Sequence, residues 1–439
     1  MERASAPGRL DRIYQAIVNE EDARVCTDIS EQACHYVPRN FFLIAISHTL
    51  SNLGDHLANP KTVLAWLFGF VGAPASLVGL LVPIRESGSM VPQLFIAGFV
   101  RRLSRRKFVW VAGSFLQALA VLGIGLAAAL LTGATAGWLI LSLLVVFSLS
   151  RGLSSVASKD VLGKTIPKTR RGRVAGLGAT ISGVTAVLLG IYLGAIHEEP
   201  SSPLPYVMML LGAALLWLSA GLTYANVREF PGETEGGGNA FWEALRRLDL
   251  LRTDRNFRRF VITRALLLCS ALSAPFYVIL AQQQHGTDLQ TLGAFVLAYG
   301  LASSLSAALW GAMADVSSRR VLLRAATMAA LLGVAVFAVA TFDNPLRHSG
   351  WTYAAAFFLL SVAHSGVRLG RKTYIIDMAG GNRRTDYVAV SNTVIGIILL
   401  LTGSIAALAT VVTPAGIILI LSLCGLIGVA TGATLPEVE

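Results

Sequence analysis

Four polar side chains recur at helical spacing within an otherwise apolar stretch near the N-terminus. His48, Asn52, Asp55 and Asn59 are separated by four, three and four residues, which places them on one face of an α-helix. Such a face can bind a polar solute, and its carboxyl and imidazole groups can also take up and release protons. A charged group at the centre of a bilayer costs about 2.5–3.5 kcal/mol on insertion scales. We therefore expect this face to line a water-filled cavity, with Pro60 breaking or bending the helix near its end.

Two further polar faces lie at corresponding positions along the chain, 213 residues apart. The same offset of 213 residues relates Gly98 to Gly311. Both faces carry arginine, whose guanidinium group binds carboxylates and phosphates through paired hydrogen bonds. Few acidic residues are at hand to neutralise these cations, so the two faces favour the binding of an anionic group. The faces contain Ser148, Arg151, Ser155 and Ser158 in the first case, and Ser361, His364, Arg368 and Arg371 in the second.

The candidate site residues divide into solute ligands and proton carriers. Asp55, Glu86 and His48 are the candidates for proton coupling, because a buried carboxyl beside a cation can gain or lose a proton after a small change in solvation. Two arginines have an alternative role in internal ion pairs, Arg85 with Asp55 or Glu86, and Arg151 with Asp160. The predicted solute ligands are Asn52, Arg85, Arg151, Ser155, Tyr277, His364, Arg368 and Asn392.

These side chains must be positioned by helices that cross a membrane. The chain has 439 residues, of which 54% are apolar and only 14% are charged, a composition typical of integral membrane proteins. A bilayer requires about 20 apolar residues per helix, and continuous apolar runs favour helices over a β-barrel. We predict an all-α integral membrane protein with twelve transmembrane helices. They cover residues 40–69, 74–99, 107–132, 135–162, 173–196, 204–226, 260–282, 289–313, 321–341, 351–372, 386–410 and 413–434.

The distribution of basic residues predicts the orientation of these helices. The net charge is +11, and lysine and arginine concentrate in or beside the loops that follow the even-numbered spans. Arg347 is the only basic residue in the loops on the opposite side. By the positive-inside rule, we expect the basic loops and both termini in the cytoplasm, with the chain in the cytoplasmic (inner) membrane. The positive charge is then explained by the orientation of the chain in the lipid bilayer, and nucleic acid is not expected as a partner.

Two related halves are separated by a segment of different composition. The stretch PGETEGGGNA has the composition of a flexible linker and is followed by a basic amphipathic segment. The constant offset between the halves also superimposes paired arginines at 170–171 and 383–384, as internal repeats of a transporter would. We predict a cytoplasmic tail over 1–38, whose helical apolar stripe could lie on the membrane, a six-helix half over 39–226, a cytoplasmic linker over 227–259, and a second six-helix half over 260–439.

A basic loop after the second and the eighth predicted span carries a motif of the form G-x-x-x-D-x-x-x-R/K-R/K. The matching residues are Gly98, Arg106 and Lys107 in the first half and Gly311, Asp315, Arg319 and Arg320 in the second. Through this motif the chain resembles the major facilitator superfamily from residue 40 to residue 434. The resemblance implies two pseudo-symmetric six-helix halves and a cytoplasmic gate formed by charge pairs of this loop. Because Arg102 occupies the aspartate position, the gate of the first half would need another acid.

Together, the polar faces and the resemblance predict a secondary active transporter. We expect a monomer that moves a small anionic solute by alternating access, coupled to protons. The alternatives are an exporter of amphipathic compounds and a non-transporting sensor on the same fold. An enzyme is not expected, because the chain has no paired-histidine cluster, no G-x-S-x-G sequence and no P-loop. We predict no metal and no cofactor, and the spacing of the four cysteines predicts neither a disulfide nor zinc.

Overall fold

The computed structural model describes residues 29–438, apart from 94, 95, 97, 98, 101, 197–201, 233, 235–247, 315, 379–383 and 404–410. Within this part of the chain the regular secondary structure is entirely helical. Eight of its helical segments are long and apolar enough to cross a membrane. The prediction of an all-α integral membrane fold is therefore confirmed. The predicted tail lies mostly outside the described residues, as does much of the linker.

The helices follow the predicted spans in order. Those of the first half are α1 (Glu31–Cys34), α2 (Val37–Leu57), α3 (Val63–Phe70), α4 (Ala75–Val78), α5 (Leu81–Met90), α6 (Lys107–Leu130), α7 (Gly133–Thr165), α8 (Lys168–Gly194) and α9 (Leu204–Ala225). Those of the second half are α10 (Leu250–Thr253), α11 (Arg255–Leu266), α12 (Cys269–Leu272), α13 (Ala274–His285), α14 (Leu289–Ala314), α15 (Ser318–Thr341), α16 (Gly350–Met378), α17 (Arg384–Thr402) and α18 (Pro414–Gly432).

The first predicted span is broken in two, between α2 and α3. Helix α2 ends at Leu57, and Pro60 lies in the connecting turn, as the sequence predicts. Asn59 stabilises this turn, because its Oδ1 accepts a hydrogen bond of 2.8 Å from the backbone N–H of Lys61 and its carbonyl accepts one of 2.9 Å from Leu64. The break thus brings the polar residues 59–61 into the interior of the bundle while their backbone groups remain hydrogen-bonded.

The two halves meet closely on the side opposite the basic loops. Along the contact of α8 with α14, a Cβ atom added at Gly190 would overlap the backbone of Leu297, and one added at Gly293 would overlap the backbone of Gly194. Nearby, the side chain of Gln282 donates a hydrogen bond of 3.0 Å to the carbonyl of Trp66. Small residues allow helices in a membrane to approach this closely. The halves are therefore joined at this end of the bundle.

One prediction about the cysteines is wrong. Cys34, the last residue of α1, is disulfide-bonded. Spacing alone gives no sign of this bond, because disulfide pairing depends on the distance between two chain segments in the fold. Cys269 and Cys424 are free thiols.

Candidate functional site

A cavity of about 490 Å³ lies between the two halves. Its volume is within the range of about 300–1,000 Å³ that is usual for small-molecule sites. Its ionisable side chains, histidines aside, comprise six cations and only two carboxylates, which leaves an excess of four positive charges. These residues are Lys61, Arg85, Arg151, Arg264, Arg368 and Arg371, together with Asp55 and Glu86.

On the first-half side of the cavity, two arginines share the carboxylate of Asp55 and form a cluster around it. Arg85 donates to Oδ1 of Asp55 at 3.1 Å, and Arg151 forms an ion pair with the other carboxylate oxygen. Arg151 also donates to Oγ of Ser51 at 3.0 Å, and the guanidinium of Arg85 lies 4.9 Å from the centre of the Phe147 ring. Both guanidinium groups are therefore held by residues of their own half.

These contacts decide between the alternatives that the sequence leaves open. The pairing of Arg85 with Asp55 is present, whereas the suggested pairing of Arg151 with Asp160 is wrong. Asp160 instead pairs with Arg106 near the basic loops, and Arg151 reaches Asp55. Helical periodicity could not show this, because the partners are far apart in the sequence and meet only through the packing of α2 on α7.

On the second-half side, three arginines are present without a neighbouring acid of the same half. Arg368 and Arg371, on α16, make neither a hydrogen bond nor an ion pair with any residue that the structure describes. Arg264, on α11, is 7% exposed and donates to Oγ of Ser391 at 2.7 Å and to Oδ1 of Asn392 at 2.9 Å. Its partners are neutral, so its charge is also uncompensated there.

Lys61 connects the two halves across the cavity. Its ammonium group lies 3.2 Å from Nε2 of His364, and Nδ1 of the same ring lies 3.1 Å from Oγ of Ser270. Because an ammonium group can only donate, Nε2 must accept, and the ring hydrogen is assigned to Nδ1, which donates to Ser270. The hydroxyl of Ser270 in turn donates to the carbonyl of Leu267 at 3.2 Å. This chain fixes one hydrogen of the ammonium group and leaves two for the cavity.

Glu86 is the second carboxylate of the cavity and follows Arg85 on α5. Its carboxylate makes no hydrogen bond or ion pair with the described residues. It interacts electrostatically with Lys61, Arg85, Arg368 and Arg371. Among the cavity cations, it is thus a single acid surrounded by basic groups.

Most of the predicted site residues meet in this cavity. Those that line it are Asn52, Asp55, Arg85, Glu86, Arg151, Ser155, His364 and Arg368. Three others lie elsewhere. His48 stacks on Tyr224 and contacts Oγ of Ser158 at 3.0 Å, Tyr277 is fully buried, and Asn392 serves Arg264 as a hydrogen-bond acceptor.

Sequence reasoning missed Lys61 and Arg264 as candidate ligands, and it placed Arg371 on the second cationic face without naming it as a ligand. Arg371 follows Arg368 by three residues on the same polar face, so its helical spacing could have identified it. The sequence position of Arg264, close to the end of its predicted span, instead indicates a residue at the membrane surface. Lys61 could not have been assigned, because its position depends on the break between α2 and α3.

The predicted gate residues that the structure describes lie at the basic loops. Gly98 and Asp315 are outside the described residues, and a Cβ atom added at Gly311 would meet nothing within 4 Å. Arg106 pairs with Asp160, and its backbone N–H donates to Oε2 of Glu229 at 2.8 Å. Among the described residues, Asp160 and Glu229 are therefore the acids that contact Arg106 of this loop.

In the second half, the equivalent loop is joined to the C-terminal segment. Arg319 pairs with Glu437 at 3.0 Å, and Ser317 donates to the same carboxylate at 2.9 Å. Partial burial alone would raise the pKa of Glu437, but the hydrogen bond from Ser317 and the Arg319 guanidinium lower it below 4.5. Among the described residues, the ion pairs at the two loops stay within one half, so here they stabilise each half separately.

Solved structures with the same architecture come from several kinds of transporter. A POT family transporter in complex with 5-aminolevulinic acid matches 89% of this chain and 95% of its own, with a TM-score of 0.69 and 9% identity. A D-xylose-proton symporter matches 91% and 98%, with a TM-score of 0.68 and 14% identity. A nucleoside transporter matches 90% and 99%, with a TM-score of 0.65 and 11% identity. At these identities the similarity establishes the fold alone.

Comparison at the level of sequence gives the family. No curated protein matches the chain significantly. The family model of the Major Facilitator Superfamily matches residues 32–403, which is most of the chain and covers the first half and most of the second. The chain therefore belongs to the Major Facilitator Superfamily of membrane transporters.

Proposed function

We propose that this transporter carries a small organic anion across the cytoplasmic membrane, coupled to protons, by alternating access. The observation that supports the proposal most strongly is the excess of cations in the cavity. Guanidinium groups without an acidic partner are well suited to bind a carboxylate or a phosphate through paired hydrogen bonds. The proposed ligands are Arg368 and Arg371, with Arg264 adding its charge.

The lining of the cavity favours this solute class over amphipathic compounds. Among the residues that line it, the large apolar or aromatic side chains are a few leucines, Met90 and Tyr299, with neither phenylalanine nor tryptophan. An exporter of amphipathic compounds would need an extensive apolar and aromatic surface. Asn52 and Ser155 can instead donate hydrogen bonds to the polar body of the solute.

The proton carrier in this proposal is one of the two cavity carboxylates. Asp55 is engaged by two arginines, whereas Glu86 has no direct partner among the described residues. Protonation of Glu86 would remove the negative charge that competes with the solute for the same cations, so proton and anion would bind with positive coupling. Glu86 is therefore the preferred carrier, and Asp55 is the alternative. His48 is a poor candidate because it lies outside the cavity lining.

Alternating access is supported by the way in which the halves meet. They contact each other on the side opposite the basic loops, while the ion pairs described at the loops stay within each half. If the positive-inside rule holds here, the cavity faces the cytoplasm in this conformation, and both termini are cytoplasmic. The opposite state would separate α8 from α14. We propose that one chain suffices for the cycle, because the cavity is formed by a single copy.

The experiment is solute uptake by the purified protein in liposomes. A thermal-shift screen against anionic, neutral and cationic metabolites first identifies a solute that binds, and its labelled form is then followed under an imposed proton gradient. We expect uptake of the anion that increases with the gradient, and loss of that increase in Glu86→Gln. Asp343→Asn, which removes an exposed carboxylate that does not line the cavity, is the matched control.

Two outcomes would contradict the proposal, and a third would change its proton carrier. Uptake that is indifferent to the gradient in the wild type would remove proton coupling. An unchanged response in Glu86→Gln, with a lost response in Asp55→Asn, would transfer the carrier role to Asp55. Binding of the anion without any movement across the membrane would instead indicate a sensor.

A further inference from the structure

The cationic groups of the cavity are distributed unequally between its two sides. The Asp55 cluster contains two arginines and one carboxylate, so a single positive charge remains there. The other side contains Lys61, Arg264, Arg368 and Arg371 against Glu86 alone, which leaves an excess of three charges when Glu86 is ionised and four when it is protonated. Most of the excess positive charge that an anion could compensate therefore lies on this second side.

A solute with one negative charge would leave most of this excess uncompensated. When a carrier closes around its solute, water leaves the cavity and unpaired charges lose their solvation. Arg264 illustrates the problem already, since it is 7% exposed, bonds only to neutral groups, and has an Nε atom without a hydrogen-bond partner among the described residues. A second negative charge on the solute would reduce this cost.

Lys61 lies where a second anionic group would need a partner. It comes from the first half, at the break between α2 and α3, but its ammonium group is 3.2 Å from His364 of the second half. Arg368 and Arg371 lie one and two turns further along the same helix as His364. A solute bound by these arginines at one end can thus present its other end to the two free hydrogens of Lys61.

We propose that the transported solute is a dianion, with one charged end bound by Arg368 and Arg371 and its remaining charge by Lys61. This inference rests on the proposed function and defines its substrate class. Dicarboxylates and phosphate monoesters share the required chemistry. His364 holds Lys61 in place through its Nε2 atom, so Lys61 sets the preference for two charges over one.

The first test compares solutes that differ only in charge. The purified protein is titrated with dicarboxylates of three to six carbons and with their monomethyl esters, and separately with phosphate monoesters and the corresponding methyl diesters. We expect at least one dianion to bind tenfold or more tightly than its monoanionic partner, because a charge-assisted hydrogen bond is worth about that factor. The two series show whether the solute is a dicarboxylate or a phosphate ester. Equal binding within every pair overturns the inference.

The second test removes the second cation. In Lys61→Gln the preference for the dianion should fall about tenfold, while binding of the monoanion changes little. Lys159→Gln, which removes an exposed lysine that does not line the cavity, is the matched control, and Lys61→Arg should retain the preference. A preference that survives intact in Lys61→Gln overturns the role of Lys61. Lys61→Arg keeps the positive charge. If Lys61→Gln fails to fold, the preference for dianions can still be measured in Lys61→Arg.

The two proposals fail in different ways. If monoanions and dianions bind and are transported equally well, the anion transporter remains and the dianion inference is wrong. If neutral or cationic solutes bind and no anion does, both are wrong.

Discussion

Helices α7 and α16, which correspond to the fourth predicted span of each half, both present arginine to the cavity, but these arginines have different surroundings. On α7, Arg151 is held by Asp55 and Ser51 of its own half. On α16, Arg368 has no partner among the described residues, and Arg371 lies three residues further on in the same situation. The constant offset between the halves aligns Arg151 with His364, a histidine in place of an arginine. The repeat therefore preserves the helices and not the charges.

This difference separates two uses of a charge inside a membrane. A cation that is paired within its own half is already compensated and mainly stabilises the packing of α2, α5 and α7. A cation without a partner retains its capacity to attract an anion from solution. We therefore expect substitutions in the Asp55 cluster to affect stability first, and substitutions of Arg368 and Arg371 to affect solute binding first.

The largest expected effect on stability comes from Asp55→Asn. The substitution leaves Arg85 and Arg151 without their shared carboxylate, and breaking a pair that is largely shielded from water typically costs about 3 kcal/mol. We expect a lower free energy of unfolding, measured by denaturant titration in detergent. The loss should be smaller in Asp55→Asn combined with Arg151→Gln, which removes one of the uncompensated cations. If Asp55→Asn changed stability as little as the exposed Asp343→Asn, for which we expect about 0.5 kcal/mol or less, the internal role of the cluster would be contradicted.

A smaller effect, on binding and not on stability, is expected for Arg368→Gln. A charge-assisted hydrogen bond contributes about 1.5–3 kcal/mol, so the apparent affinity for the anion should fall roughly tenfold to a hundredfold. Stability should be unchanged or slightly increased, because an uncompensated cation is removed. Arg324 is an exposed arginine of the same half that does not line the cavity. Arg324→Gln should therefore have no effect on either measurement. A large loss of stability without a loss of affinity would assign Arg368 a structural role instead.

The same contrast between halves can be tested at the basic loops, where the expected effects are smallest. The side chain of Glu229 is fully buried and accepts from the backbone of Arg106 and Lys107, whereas that of Glu437 is 38% exposed. Glu229→Gln should lower the free energy of unfolding by about 2 kcal/mol, and Glu437→Gln should lower it by less than half as much.

The contribution of Glu437 should also depend on pH. Because its folded pKa lies below 4.5, the contribution is fully present above pH 4.5 and is lost as the pH falls through the folded value. Unfolding measured across this interval should show a slightly weaker pH dependence in Glu437→Gln. Equal effects of Glu229→Gln and Glu437→Gln would contradict the difference in burial.

The membrane fold could be predicted from the sequence because hydrophobic length and charge asymmetry are local properties. The site could be predicted only in part, for a physical reason. Helical spacing identified the polar faces around Asp55 and Arg368, but the pairing of Arg151 with Asp55 depends on how α2 and α7 pack. The role of Lys61 depends on the break before α3, and the acids Asp160 and Glu229 reach their loop through the fold of the whole half.

The most direct test of the central claim is the affinity of the cavity for an anion when both unpaired arginines are removed. The wild type and the variant carrying Arg368→Gln and Arg371→Gln are titrated with the anion that binds best, at low and high salt. We predict a loss of at least roughly a hundredfold, and a much weaker dependence on salt. An affinity within a factor of two of the wild type would contradict an anion site on this side of the cavity.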